Sequence, residues 1–366
     1  MSGFWGARRA WQRFFHGRMT MAGTSSQEWV VSVRTPAKRG DVCGHGQLNS
    51  LKERERMSSP EKDSYPAPVR AFGTHLTSID ERVIEAREVS DRRGSKAWRV
   101  VTSGGLCALK ANADPDGEVF RDKRSELDRE AMVIAELTRL GAIPADYLVG
   151  AGPWEAGRWL AVRWAPGDLM WNALAPARDR STTDTRRLLV ACARTMARAA
   201  TALHLAGWVH ADIQPTNTLV DESGSATLID YALAHGPVAD GPPDLEAGRI
   251  PYRGALTHTT APEIAQALLD TAHTEHIRAT AAADVWALGA SLFWCWTGSR
   301  PVPYRQPDGP RLGKLQDIAM STTLDIASAR PWPFPGFEEA VTSCLSADPQ
   351  ARPTAAEFLS LLDGVD

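Results

Sequence analysis

The stretch Gly207–Gly236, GWVHADIQPTNTLVDESGSATLIDYALAHG, sets two carboxylates and an amide, Asp212, Asn217 and Asp230, around two short apolar runs. Carboxylate and carboxamide oxygens are hard donors that suit a divalent cation, and a further carboxylate beside it can accept a proton from an attacking hydroxyl. TLV, the turn DESGS and ATLID read as a loop-fed hairpin. Polar residues at the ends of such a hairpin converge, although 18 positions separate Asp212 from Asp230. The same residue types also make ordinary turns, so a metal-phosphate site stands against a plainer reading as polar turns.

The elements that must position these groups follow from periodicity. RVIEAREV, AWRVVTS and LCALKAN alternate apolar and polar residues, and Gly104-Gly105 joins the last two as a hairpin. SELDREAMVIAELTRL reads as an amphipathic helix, with Met132, Ile134, Leu137 and Leu140 at helical spacing. DYLVGAGPWEAG and RWLAVRW give two more strands. Beyond APGD at 165–168 the chain turns helical, with Ala, Leu and Arg filling TRRLLVACARTMARAATALHLAG.

Within this order the chain resembles the eukaryotic-type protein kinase family. HADIQPTN stands where that family has H-R-D-L-x-x-x-N, and DYA at 230–232 stands in place of D-F-G. CALK puts Lys110 at the phosphate-pairing lysine, and Glu130 matches the glutamate that anchors it. APE at 261–263, DVWALG at 284–289 and DPQARPT at 348–354 follow in family order, so the resemblance covers about residues 82–362. Six motifs in one order are far more specific than any one of them. The implied fold is α+β and two-lobed: a small antiparallel sheet with one helix at about 69–166, then a larger helical lobe at 167–366, with ATP in the cleft.

The resemblance also implies roles. Lys110 holds the nucleotide phosphates and Glu130 orients it; Asn217 and Asp230 hold Mg²⁺; Asp212 accepts or orients the hydroxyl proton, with Gln214 beside it. Ala108 and Leu219 cover the adenine faces, the backbone of VRWA at 162–165, including Arg163 and Trp164, reads the adenine edge, and Gly94 lies in the loop over the phosphates. Glu263 and Arg352 form a buried pair, and Asp284 bonds the catalytic-loop amides from beneath.

Four departures qualify these expectations. SDRRGSKAWRVV at 90–101 offers one glycine, Gly94, where the family's phosphate-covering loop has three. Gln214 replaces the catalytic-loop lysine and brings no charge to the transferring phosphoryl group. Ala211 replaces the arginine that pairs with a phosphorylated activation loop, so activity is expected to be independent of phosphate on Tyr252, Thr257, Thr259 or Thr260. Ala232 replaces the last D-F-G glycine, and Leu256 stands where a threonine helps seat a peptide hydroxyl. Alongside a Ser/Thr protein kinase, two alternatives therefore stay open: a small-molecule phosphotransferase, and a nucleotide-binding scaffold without transfer.

Composition bounds the rest. Residues 1–60 carry 10 Lys/Arg against 4 Asp/Glu in a chain of net charge −3, so the remainder is acidic, which argues against a broad nucleic-acid footprint. Residues 1–68 show no sustained period and read as a mostly disordered basic tail. Its opening, MSGFWGARRAWQRFFHGRM, mixes basic and aromatic residues as a membrane-surface segment does but lacks a secretion signal's apolar core. Met57 offers an alternative start. No window reaches the roughly 18 apolar residues of a membrane span; VWALGASLFWCWTG at 285–298 reads as a buried core helix. Five cysteines, odd in number and without C-x-x-C spacing, point to a reducing, cytoplasmic setting. AHTEH at 272–276 matches no zinc motif and reads as a polar insertion.

Overall fold

The computed structural model describes residues 65–92, 95–113, 121–155, 157–237 and 252–365. Most of the basic tail, Cys43 and Gly94 lie outside these residues. The first layer is a five-stranded antiparallel sheet of β1 (Val83–Arg92), β2 (Ser95–Thr102), β3 (Gly105–Ala113), β4 (Leu148–Trp154) and β5 (Gly157–Arg163), in the order β1-β2-β3-β5-β4. Alternation sorts its two faces. Trp98, Val100, Cys107, Leu109 and Trp159 are buried on one, and Lys110, Ala108 and Val162 lie on the other.

Two helices flank the sheet. The helix α1 (Ala67–Ser78) was not anticipated from the sequence. Its Val69, Phe72 and Leu76 are fully buried, and Phe72 meets Trp159 at 5.4 Å between ring centroids. The second, α2 (Arg121–Arg139), turns a different stripe inward from the one its pattern suggested. Leu127, Glu130, Ile134 and Leu137 share the buried face at i, i+3, i+7 and i+10, while Met132 is only half-buried and Leu140 lies exposed past the helix end. A charged residue thus sits in the apolar stripe, where only a partner across the contact makes its burial tolerable.

The remaining described residues are mainly helical. After β6 (Asp168–Leu169) come the short α3 (Met170–Ala173) and α4 (Ala175–Asp179), then α5 (Thr183–Leu205), started by a reciprocal Thr182–Thr185 cap. β7 (Thr218–Val220) and β8 (Ala226–Leu228) form the expected hairpin, and β6 pairs with β7. Gly224, at φ +84°, makes its turn; a side chain there would stand 3.0 Å from Ala191 Cβ of α5. Next are α6 (Pro262–Asp270) and α7 (Ala281–Thr297), followed by α8 (Arg311–Ala319), α9 (Ile326–Ala329), α10 (Pro335–Cys344) and α11 (Ala355–Leu361). The core helix expected at 285–298 is α7, buried on nearly all sides, with Trp286, Phe293 and Trp296 inside and Gly298 ending it in the left-handed region. Among the described residues no helix is long and apolar enough to cross a membrane.

Candidate active site

The two layers meet at the residues singled out by the sequence. β3 delivers Lys110 and α2 delivers Glu130, and Lys110 Nζ donates to Glu130 Oε1 at 2.7 Å. The same ammonium lies 3.4 Å from Asp230 Oδ1. Burial opposes the charged form of Lys110, but Asp230 and Glu130 together hold its pKa above the ordinary value. Burial pushes the Glu130 carboxyl up, against the pull of Lys110.

Asp230 sits in the left-handed backbone region, φ 69° and ψ 78°, an uncommon state for a residue other than glycine. This conformation separates the directions of its carboxylate and of the following ring. Tyr231 is buried, 5.1 Å from the His210 ring and edge-on to Tyr147 at 5.9 Å. It shares an apolar cluster with Ile134, Leu137 and Val162, so one cluster joins α2, β5 and the residues after Asp230. Arg129, next to Glu130, donates to the carbonyls of Ala232 and Ala234, both at 2.7 Å. Nothing in the sequence drew attention to this arginine beyond its place in a charged helix.

The loop 210–217 is held from below. Asp284 of α7 accepts the amides of His210 at 2.7 Å and Ala211 at 2.9 Å, and lies 3.1 Å from His204 Nε2. Ala211 adopts φ 60°, and its carbonyl accepts from the Tyr252 hydroxyl at 3.0 Å. Asp212 is bracketed: Gln214 Nε2 donates to Oδ1 at 2.6 Å and Asn217 Nδ2 to Oδ2 at 2.8 Å. Desolvation and the nearby Asp230 raise the Asp212 carboxyl well above the usual carboxylate range, against the bonds from Asn217, the Leu256 backbone and Gln214. Leu256 thus reaches Asp212 through its main chain, where the resemblance implied a threonine hydroxyl.

An acceptor set suited to a divalent cation remains. Asn217 spends its amide hydrogens on Asp212, which leaves its carbonyl oxygen, and Asp230 Oδ1 is buried without a hydrogen bond, its ionic contact being Lys110. Magnesium binds through one or two such oxygens plus waters and phosphates, so these residues fit it. Among the described residues no group of three or more His, Cys, Asp and Glu is placed to hold a metal. In the AHTEH segment, His276 Nδ1 accepts the Tyr252 amide at 3.0 Å.

The remaining candidates lie on β3, on β7 and at the end of β5. Ala108 and Leu219 are half-buried on β3 and β7. At the end of β5, the Trp164 amide donates to Leu106 O at 3.0 Å and the Arg163 amide to Tyr147 O at 2.8 Å. The Arg163 guanidinium donates to Gly104 O at 3.2 Å. Two further residues share the Lys110 face by register: Ala97 lies opposite Lys110 and Arg99 opposite Ala108. The Arg99 guanidinium lies 5.7 Å from the centroid of the Trp164 ring. Period-2 alternation along AWRVVTS would have found both. Farther away, Arg352 makes two 2.8 Å bonds to Glu263, as expected.

The protein kinase domain family matches residues 153–361, more than half of the chain. The chain belongs to that family. The matched range starts beyond Lys110 and Glu130, so the paired lysine and glutamate rest on the geometry above. Among similar curated proteins, Serine/threonine-protein kinase AfsK of Streptomyces griseus is 27% identical over 261 residues, 66% of this chain and 29% of that protein. Mitogen-activated protein kinase kinase 3 of Arabidopsis thaliana is 31% identical over 158 residues, 42% of this chain and 25% of its own length. Serine/threonine-protein kinase 16 of Rattus norvegicus is 23% identical over 212 residues, 57% of this chain and 65% of its own. The kinase chain therefore spans less than two thirds of each of these relatives.

Proposed function

We propose that this kinase transfers the γ-phosphoryl group of ATP, with Mg²⁺, to a serine or threonine hydroxyl of a protein. The observation that carries the reading is the Lys110 ammonium held between Glu130 at 2.7 Å and Asp230 at 3.4 Å, beside the bracketed Asp212. In this reading Lys110 pairs with nucleotide phosphates and Glu130 keeps it aimed into the cleft. Asn217 and Asp230 hold the cation, which neutralises charge on the phosphate oxygens when bound. Asp212 orients the acceptor hydroxyl and takes its proton, while Gln214 holds the carboxylate. Ala108 and Leu219 cover the adenine, and the backbone at Arg163 and Trp164 forms its edge contact. The division into a small lobe at 69–166 and a larger one at 167–366 belongs to the same proposal. So does a cytoplasmic setting, which the four cysteines among the described residues, Cys107, Cys192, Cys295 and Cys344, all free and buried, support.

One observation favours a second reading. The Leu256 side chain offers no hydroxyl to a peptide acceptor, and Gln214 brings no charge, so a small-molecule hydroxyl is the alternative acceptor. Incubation with γ-labelled ATP, comparing wild type with Asp212→Ala, tests both. Label entering a generic basic protein, and lost in the variant, is the expected result. Turnover only with small hydroxylated metabolites would favour the second reading, and no transfer to any acceptor would sink both.

A further inference from the structure

Helix α5 carries a second charged feature, away from the Lys110 cleft. Arg187, Arg194 and Arg198 recur at i, i+7 and i+11, which places them along one helix face over roughly 16 Å. Together with Thr195 and the Ser223–Ser225 turn they line an open groove of about 840 Å³, floored by apolar Val190, Ala191 and Val365. This concentration of arginine stands on a body whose net charge outside the first 60 residues is negative.

The groove's charges are unevenly spent. Arg186 at its edge bonds Ser181 and the Pro333 carbonyl and stacks on Phe334 at 4.6 Å. Arg194 donates to Leu362 O at 2.8 Å and meets the exposed Asp363 at 3.2 Å. Arg187 and Arg198 are exposed and make no hydrogen bond or ion pair with the described residues. In the turn, Asp221 accepts from the Ser223 and Ser225 amides and the Ser223 hydroxyl at 2.6–2.9 Å, so its carboxylate is bound within the turn and forms no ion pair with either arginine.

We propose that this groove docks an acidic, extended segment of a partner protein. Charge complementarity selects the occupant. The chain's own first 60 residues carry 10 Lys/Arg against 4 Asp/Glu and would be repelled. A lone phosphate covers only a fraction of a 16 Å row. A nucleic acid needs a wider basic footprint than an acidic body offers. Apolar floor, hydroxyl rim and spaced guanidinium groups together suit side chains and backbone of an extended peptide. The groove lies at the turn of the hairpin whose other end begins at Asn217, so a docked segment would be tethered near the cleft without entering it.

The test is fluorescence anisotropy on the full chain with a labelled Glu/Asp-rich peptide of about eight residues, long enough to span the row when extended. Wild type is compared with the double variants Arg187→Glu/Arg198→Glu and Arg187→Gln/Arg198→Gln. Binding that weakens with salt, and drops about tenfold or more on charge reversal with an intermediate loss on neutralisation, is expected. Tm and label transfer to a non-acidic acceptor should stay unchanged, because both arginines are exposed and outside the cleft. No binding by wild type, or equal binding by folded variants, would overturn the proposal. So would displacement by millimolar orthophosphate alone, or tighter binding of a single-stranded oligonucleotide lost in the same variants. Because binding is read without turnover, its failure is distinguishable from a failure of the phosphotransfer reading.

Discussion

Asp212 is the residue whose surroundings most directly set behaviour. Its pKa is raised, so its ionised, proton-accepting form disappears on acidification at a higher pH than for an ordinary aspartate. The rate is therefore expected to fall with decreasing pH well above pH 4, with that acid limb set by Asp212 and removed in Asp212→Asn, whose low residual rate should be flat. The linkage has a definite sign. A raised folded-state pKa means that protonation favours the folded chain, a contribution fully present below the unfolded value and lost as pH rises through the folded one. Asp212→Asn should accordingly raise Tm at neutral pH; a lowered Tm would show that the ionised carboxylate supports the fold. Gln214 gives a second handle. Gln214→Lys places a cation where an amide now donates at 2.6 Å, so the acid limb should move to lower pH and kcat rise by about tenfold. An unmoved limb would argue that Gln214 does not act on Asp212. These polar residues were legible in HADIQPTN itself, because short-range spacing fixes which of them share a loop. The reach of the Leu256 backbone to Asp212 was not, since it spans 44 positions of chain.

At the scale of elements, α2 decides whether the cleft is assembled. Arg129 ties it to the residues after Asp230 through two 2.7 Å bonds to carbonyls, and Tyr252, Thr259 and Thr260 are buried. The proposal that Ala211 frees the kinase from loop phosphorylation then makes this arginine, and no phosphate, the tie between α2 and the residues after Asp230. Arg129→Ala leaves two carbonyls without their partner, at about 1–3 kcal/mol each. Its kcat is expected to fall at least tenfold, while phosphatase-treated wild type, checked by intact mass, keeps its rate. Loss of activity on phosphatase treatment would refute this latch. The α1 helix contributes to stability from outside the cleft: Phe72→Ala should cost about 3–5 kcal/mol in denaturant unfolding and, if folded, leave nucleotide contacts intact. Strands showed in the sequence because alternation is local. Helix α1 did not, since Gly73, Thr74, Thr77 and Ser78 weaken its propensity and only the Trp159 face makes it pay to form.

Over the whole molecule, the pair Arg352–Glu263 ties the loop before α11 to α6 and, through Arg352 and Ala282 O, to α7. Arg352 is fully buried, so Arg352→Ala strands a carboxylate and should lower stability by about 3–5 kcal/mol, read as a lower urea midpoint. A change below about 1 kcal/mol would show the pair to be dispensable. The sequence by itself determined the family, the main strands and long helices and the identity of the polar groups, because motif spacing and period-2 or period-3.6 patterns are properties of adjacent residues. Tertiary structure alone decided which face of α2 turns inward, that Arg129 and Arg99 have partners, and that scattered arginines of α5 share a groove with a distant turn. Those outcomes depend on contacts between segments far apart in the chain, where burial rather than local pattern selects among arrangements that the sequence leaves equally open.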